Sequence, residues 1–145
     1  MNGVKMKIYF LIYETDGAEL LPFLSKGRLE RAQAAKSSAV RSRTIFSYAL
    51  LRLALRENFG IAEAPEFGYE PLGKPFLKDF PNIFFSISHA ENAVLCAVSG
   101  NPVGADVQDI RTIKADISRR ICTPAELERL NAADDKNREL CRLWC

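Results

Sequence analysis

The pattern of apolar and polar positions divides the chain into a first strand, a helical part, a β-rich middle and a helical end. Residues 7–13 are rich in β-branched and aromatic side chains and predict the first strand. Residues 18–36 predict irregular helix, broken near Pro22 and Gly27. The clearest helix spans residues 38–58, and its apolar positions follow the i, i+4, i+8 spacing of one broad stripe: Ile45, Phe46, Ala49, Leu50, Leu53 and Ala54.

The second part of the chain changes to short apolar runs separated by turn residues, which predicts hairpins and a meander. The runs are residues 67–70, 75–77, 83–89, 93–100 and 103–110. Helices return after Ile110, where Thr123 and Glu126 form a capping-box pattern. Asp134 or Asp135 is expected to cap a last helix. This order of helix, sheet and helix predicts an α+β fold.

Composition places the chain among globular proteins of one-domain size. It has 145 residues, of which 48% are apolar and 26% charged, so disorder is excluded as its main state. The longest apolar runs have six residues, far short of the about 20 that a membrane span needs. With no secretory signal pattern and no CxxC pair among four cysteines, we expect a cytoplasmic protein with reduced thiols and Cys96 in the core.

Charge is concentrated in residues 26–56, which hold eight basic side chains and one acidic side chain, a net charge of +7. This excess predicts an anionic ligand or partner. Nucleic acid is not the expected partner, because the region lacks interleaved aromatic residues for base stacking. Arg28 and Arg31 lie three residues apart, on one helix face, and could clamp a phosphate. Arg52 and Arg56 are interpreted as a solvated face.

Three further groups could carry chemistry, although each also has a purely structural interpretation. His89, the single histidine, ends a strand and could bind a phosphate, move a proton or satisfy a local backbone group. Asp106 and Gln108 alternate on the predicted strand 103–110, so their oxygens would share a face suited to Mg²⁺, or form an ordinary polar face. Lys74 lies in a Gly-Lys-Pro turn, which could equally be a solvated hairpin loop.

In their order along the chain, these motifs resemble the surfactin-synthetase-activating 4′-phosphopantetheinyl transferases. That family's pattern is a G-K-P turn, then F-x-I-S-H, G-x-D-x-E and a helix ending in W-x-x-K-E-A. The resemblance extends over nearly the whole chain from Lys7 and is most specific between Gly73 and Gln108. The matching residues are Arg28, Arg31, Arg43, Thr44, Gly73, Lys74, Pro75, residues 85–89, residues 104–108, Glu126, Leu143 and Trp144.

The resemblance implies an enzyme that moves the phosphopantetheine arm of coenzyme A onto a serine of an acyl- or peptidyl-carrier protein, with Mg²⁺. It implies two similar α+β halves related by a pseudo-twofold, with coenzyme A between them. Residues 1–102 would be the first half and residues 103–145 the start of the second. Fatty acid, polyketide or nonribosomal peptide biosynthesis would be the setting, and neither nucleic acid nor a membrane would be a partner.

The resemblance also assigns roles to individual residues. Asp106 and Gln108 match metal positions, and His89, Asp106 and, more weakly, Glu126 match catalytic positions. Glu126 is also the N3 residue of the capping box, and this structural role carries more weight. Coenzyme A contacts are implied for Arg28 and Arg31 near the 3′-phosphate, His89 on the phosphates, and Thr44, Gly73, Lys74, Pro75 and Ser88.

Two departures from the family pattern shape the expectations. Gln108 stands where the family usually has Glu, and the sequence stops at Trp144-Cys145 before the Lys-Glu of the pattern. We therefore expect a C-terminally shortened chain that lacks a third metal carboxylate and a late lysine. The alternative to a working transferase is a shortened paralogue that binds coenzyme A or a carrier protein without turnover. A homodimer through the exposed half-interface is also expected.

Overall fold

The structure, a computed structural model, describes residues 5–112 and 115–145, except for the side chains of residues 115 and 116. The chain forms two units, residues 1–107 and residues 108–145. Helices and small antiparallel sheets make up the described chain, which confirms the α+β class. Among the described residues, no helix is long and apolar enough to cross a membrane.

The first unit is built on a three-stranded antiparallel sheet in the order β1-β5-β4, formed by β1 (Lys7–Ile12), β4 (Phe84–His89) and β5 (Ala93–Ser99). Cys96 lies at its centre, opposite Tyr9 on one side and Ile87 on the other. It is fully buried, as predicted, and burial raises the pKa of its thiol to about 12. The second sheet is a short hairpin of β2 (Phe67–Tyr69) and β3 (Pro75–Leu77).

Helix α2 (Ser38–Phe59) packs against β5 and supplies much of the core of this unit. The Ser37 side chain caps it by accepting the Val40 N–H, and Gly60 ends it at φ 69°, a left-handed conformation in which glycine is favoured. The predicted stripe holds for Ile45, Phe46, Leu50 and Ala54, but Leu53 is exposed. The largest fully buried side chains of the unit are Tyr48, Ile45, Leu51, Leu55, Leu77, Val94, Val98 and Cys96.

The structure confirms a break near Pro22 and Gly27, since the helical segment is interrupted at Leu24 and Ser25, between these two residues. A 3-10 helix (Ala18–Phe23) contains Pro22, and α1 (Lys26–Gln33) begins after Ser25, so Gly27 lies inside α1. Its N–H donates to Glu66 Oε1 at 3.2 Å, and a Cβ at this position would lie 2.9 Å from the other carboxylate oxygen. The absence of a side chain at Gly27 therefore lets Glu66 approach the first turn of the helix.

Two predictions fail because of contacts between distant parts of the chain. Residues 103–110 form no strand, because the N–H groups of Ala105 and Val107 donate to the serine hydroxyls of Ser86 and Ser88, each at 3.1 Å. Arg52 does not lie on a solvated face either. Its guanidinium donates to the carbonyls of Phe23 and Ala62, each at 2.6 Å, which joins α2 to the end of the 3-10 helix and to the loop that follows Gly60.

One face of β1 carries a row of exposed apolar side chains. Met6 precedes the strand, and Ile8, Phe10 and Ile12 alternate along it. All four side chains are more than half exposed. We call these four residues the β1 row.

The second unit contains α3 (Ala115–Ile121), α4 (Pro124–Ala132) and α5 (Lys136–Trp144). Asp135 caps α5 by accepting the Arg138 N–H at 3.0 Å, which confirms the predicted cap. Arg129 of α4 forms an ion pair with the buried Glu139 of α5 at 2.5 Å. Trp144, at the end of α5, is half exposed.

Candidate functional site

The main candidate site is a cleft of about 200 Å³ that α1, α2 and the end of β4 form together. Three guanidinium groups and the single histidine line it, and none of the acidic residues that the structure describes does. The complete lining is Arg28, Arg31, Val40, Arg43, Thr44, Ser47 and His89. We call this the arginine cleft.

Arg28 is a half-buried cation of the arginine cleft. Its guanidinium lies over the Phe67 ring at 5.2 Å and near the Tyr48 ring at 5.9 Å. Nη2 makes a long 3.4 Å hydrogen bond to the Thr44 carbonyl, and Nε has no partner among the described residues. Burial lowers the pKa of Arg28, since water that would stabilise the charge is excluded. The structure thus holds a partly desolvated cation with unused donor capacity.

Arg31 and Arg43 complete the positive lining. Arg31 is exposed on the same face of α1 as Arg28, and its Nη1 lies 3.5 Å from the Tyr69 hydroxyl. Tyr69 belongs to β2 and was not anticipated from sequence, because only the tertiary structure brings β2 beside α1. Arg43 Nε donates to the Ala39 carbonyl one turn earlier in α2.

Two hydroxyl residues of α2 also line the cleft, and they differ in hydrogen bonding. Thr44 Oγ1 donates to the Val40 carbonyl at 2.9 Å. Ser47 is buried, and its hydroxyl has no partner among the described residues. Sequence reasoning named Thr44 but missed Ser47, although its position four residues after Arg43 places both on one helix face.

The last residues of β4 divide between the two faces of the sheet. His89 is exposed and lines the arginine cleft. Ser88 points to the opposite face, where it donates to Asp106 Oδ1 at 2.6 Å. The structure therefore separates Ser88 from His89, and Ser88 is not part of the cleft lining.

The Gly-Lys-Pro turn lies in the β2–β3 hairpin, where Gly73 has φ 85° and its N–H donates to the Glu70 carbonyl. Lys74 and Pro75 line a second, more apolar cleft of about 330 Å³ rather than the arginine cleft. The other residues of that lining are Glu70, Phe76, Leu77, Phe80, Pro81, Ile83, Phe84, Phe85 and Pro102. The residues predicted to contact coenzyme A are thus divided. Arg28, Arg31, Thr44 and His89 line the arginine cleft, Lys74 and Pro75 line the second cleft, and Ser88 lies on the other face of β4.

Comparison with known proteins gives one consistent answer, although no family model matches the chain. A 4′-phosphopantetheinyl transferase of Bacillus subtilis is 30% identical over 136 residues, which cover 83% of this chain and 61% of the relative. The transferase Sfp of Bacillus subtilis strain 168 is 25% identical, covering 89% and 60%, and the transferase HetI of a Nostoc species is 29% identical, covering 90% and 59%. The chain belongs to the 4′-phosphopantetheinyl transferase family. It spans about six tenths of the length of these curated relatives.

The family implies Mg²⁺, for which Asp106 and Gln108 are the two predicted ligands. The Asp106 carboxylate accepts the Ser88 hydroxyl, as described above. With its amide oxygen facing the guanidinium, Gln108 accepts two hydrogen bonds from Arg111, at 2.8 Å from Nη2 and 3.0 Å from Nε. The positive charge of Arg111 on that oxygen would repel Mg²⁺, so Gln108 does not fit a Mg²⁺ site in this arrangement. Over the described chain, no three His, Cys, Asp or Glu side chains form a metal-binding group.

Glu126, the weakest of the catalytic assignments, has a clear structural role in this transferase-family chain. The Thr123 hydroxyl accepts the Glu126 N–H, and the Glu126 carboxylate accepts the Thr123 N–H at 2.7 Å, which confirms the capping box. The hydrogen bond from the Thr123 N–H is also the main cause that lowers the pKa of Glu126. A lowered pKa keeps the carboxylate charged at the start of α4, where it stabilises the helix.

Proposed function

We propose that this chain binds coenzyme A in the arginine cleft and takes part in the transfer of its 4′-phosphopantetheine arm to a serine of an apo acyl- or peptidyl-carrier protein. The observation that carries the proposal is the arginine cleft itself, where three guanidinium groups and His89 meet and no described acidic side chain belongs to the lining. Membership of the transferase family supports the reaction type.

The charge of the cleft favours a polyanion with phosphate groups. Arg28 is stacked on Phe67, so its side chain is already ordered before a ligand arrives and loses little further entropy on binding. Its unpaired Nε can donate to an anionic oxygen, and a charge-assisted hydrogen bond of this kind is stronger than a neutral one. Coenzyme A carries a pyrophosphate and a 3′-phosphate, which match a cleft of this charge.

The proposed reaction forms a bond between the carrier serine oxygen and the phosphorus that bears the pantetheine arm. The bond from that phosphorus to the bridging oxygen breaks, adenosine 3′,5′-bisphosphate leaves with the electron pair, and the serine proton passes to solvent water. Negative charge grows on the leaving phosphate, so cations and donors placed there lower the barrier. In this proposal Arg28, Arg31 and Arg43 hold the phosphates, and His89 donates a hydrogen bond to one of them. Mg²⁺ dependence stays a prediction.

The proposal is tested by titration calorimetry with coenzyme A and with dephospho-coenzyme A, which lacks the 3′-phosphate. We expect the double substitution Arg28→Ala with Arg31→Ala to weaken coenzyme A binding by at least tenfold, because two charged hydrogen-bonding groups are lost. We also expect it to reduce the preference over dephospho-coenzyme A. Arg56→Ala removes an exposed arginine outside the cleft and serves as the matched control. An equal loss of affinity for both ligands would show that Arg28 and Arg31 do not contact the 3′-phosphate.

Binding without turnover is the second candidate function, and the Gln108–Arg111 contact favours it. A transfer assay with coenzyme A, Mg²⁺ and an apo carrier protein separates the two candidates. Binding together with transfer supports the enzyme, and binding alone supports the paralogue. A uniform loss of DNA or RNA binding with steep salt dependence, seen in the arginine variants, would instead indicate a nucleic-acid role.

The β1 row supports one more proposal, association with a second copy of the chain. In the pseudo-twofold arrangement that the family resemblance implies, two similar halves bury apolar surface against each other. Four apolar side chains that are more than half exposed on one side of a sheet are a candidate for such a surface. A twofold axis would allow this surface to pair with its own copy.

A further inference from the structure

Ser47 is unusual because it is buried without a hydrogen-bond partner. Its exposed fraction is 4%, and its hydroxyl has no partner among the described residues. Serine and threonine inside helices commonly bond to the carbonyl four residues earlier, as Thr44 does to Val40. An unpaired buried hydroxyl costs folding stability, so a native one requires an explanation.

We propose that Ser47 is a further ligand-binding residue of the arginine cleft, and that its hydroxyl donates a hydrogen bond to a phosphate oxygen of the bound ligand. The proposal rests on the proposed function, since it assigns the ligand's phosphate as the missing partner. Ser47 lies at the cleft lining with Arg43 and Thr44, on the same face of α2.

The hydrogen-bonding chemistry distinguishes Ser47 from Thr44. Phosphate oxygens are acceptors, so a residue that holds them must donate. The Thr44 hydroxyl has one hydrogen, and that hydrogen is already given to the Val40 carbonyl at 2.9 Å. The Ser47 hydrogen is uncommitted among the described residues. Ser47, rather than Thr44, is therefore the α2 hydroxyl that can serve a phosphate without breaking an existing bond.

Ser47→Ala separates a ligand-binding role from a structural role, because the two roles predict opposite effects on stability. If the hydroxyl is unpaired until a ligand binds, its removal raises the melting temperature of the ligand-free chain by a few degrees, since an unpaired polar group is replaced by a methyl group. Affinity for coenzyme A should fall about tenfold, and the increase in melting temperature that coenzyme A produces should shrink accordingly. A structural role would lower the ligand-free melting temperature and leave affinity unchanged.

Ser42→Ala is the matched control on the same helix. Ser42 is similarly buried, but its hydroxyl donates to the Asp16 carbonyl at 3.2 Å and lies outside the arginine cleft lining. We expect this variant to melt at a lower temperature than the wild-type chain and to bind coenzyme A with unchanged affinity. Titrations with inorganic phosphate beside coenzyme A show whether the hydroxyl serves a free phosphate or a phosphate ester.

The outcomes separate this proposal from the proposed function. If the affinity of Ser47→Ala for coenzyme A is within twofold of wild type while the Arg28 and Arg31 double variant loses binding, Ser47 is not a ligand-binding residue. The arginine cleft would still be the coenzyme A site. If neither variant changes the affinity, the arginine cleft is not the coenzyme A site, and both proposals are wrong. If the wild-type chain binds no coenzyme A, both are likewise overturned.

Discussion

Ser88 and Asp106 are joined by a 2.6 Å hydrogen bond from the serine hydroxyl to the carboxylate. The same hydroxyl accepts the Val107 N–H at 3.1 Å, so one serine at the end of β4 makes both contacts to residues 106–107. Ser86 accepts the Ala105 N–H in the same way. Side chains of β4 therefore satisfy backbone groups that a partner strand would otherwise have paired.

Ser88→Ala is expected to reduce the free energy of unfolding by about 1–2 kcal/mol, because a charge-assisted bond and a backbone bond are lost together. Urea denaturation measures the change. Ser86→Ala is the matched control, since it removes only the bond from Ala105, and it should cost less. Equal losses for the two variants would show that the Asp106 contact contributes nothing to stability.

Gln108→Glu alone is expected to leave Mg²⁺ binding weak. The new carboxylate would pair with Arg111, which already contacts the Gln108 oxygen through two nitrogens. The double variant Gln108→Glu with Arg111→Ala should bind Mg²⁺ more tightly than either single variant, because it gains a charge and loses a competing cation. Calorimetric titration with Mg²⁺ in the presence of coenzyme A tests this. Tight binding by Gln108→Glu alone would show that Arg111 does not compete.

Glu126 should add pH-dependent stability to the second unit. Its folded-state pKa is lowered, so its contribution is fully present above the unfolded pKa near 4.5 and is lost as the pH falls through the folded value. Urea denaturation of wild type and Glu126→Gln should therefore give stability curves that differ at neutral pH and converge in acid. Glutamine can still cap the helix, so the transfer proposed above, where this chain catalyses it, should survive the substitution at neutral pH. Loss of transfer with unchanged stability would indicate a catalytic base.

The β1 row should drive self-association. Light scattering after size exclusion is expected to give about twice the chain mass for wild type. Phe10→Lys places a charge in the middle of the row and should give a monomer. Leu72→Lys is the matched control, because Leu72 is 99% exposed at a turn outside the row, and it should remain a dimer. A monomeric wild type at high concentration would overturn the dimer.

The local pattern of the sequence was sufficient for most helices, strands and caps. The apolar stripe of α2, the Thr123–Glu126 box and the Asp135 cap depend on residues only a few positions apart. Arg28 and Arg31 were likewise placed on one helix face by their spacing, and both line the arginine cleft. Interactions over such short separations are fixed by backbone geometry, so they can be predicted without the rest of the chain.

Other features were decided by contacts between distant parts of the chain. Residues 103–110 form no strand because of Ser86 and Ser88, about twenty positions earlier. The hydroxyls of these serines accept backbone N–H groups that would otherwise pair with a neighbouring strand. The unpaired hydroxyl of Ser47 and the position of Tyr69 beside Arg31 also required the folded chain. Sequence alone thus determined the family, the fold class and the charges of the site. Tertiary structure decided which donors remain available, because a side chain's partners depend on what the fold places beside it.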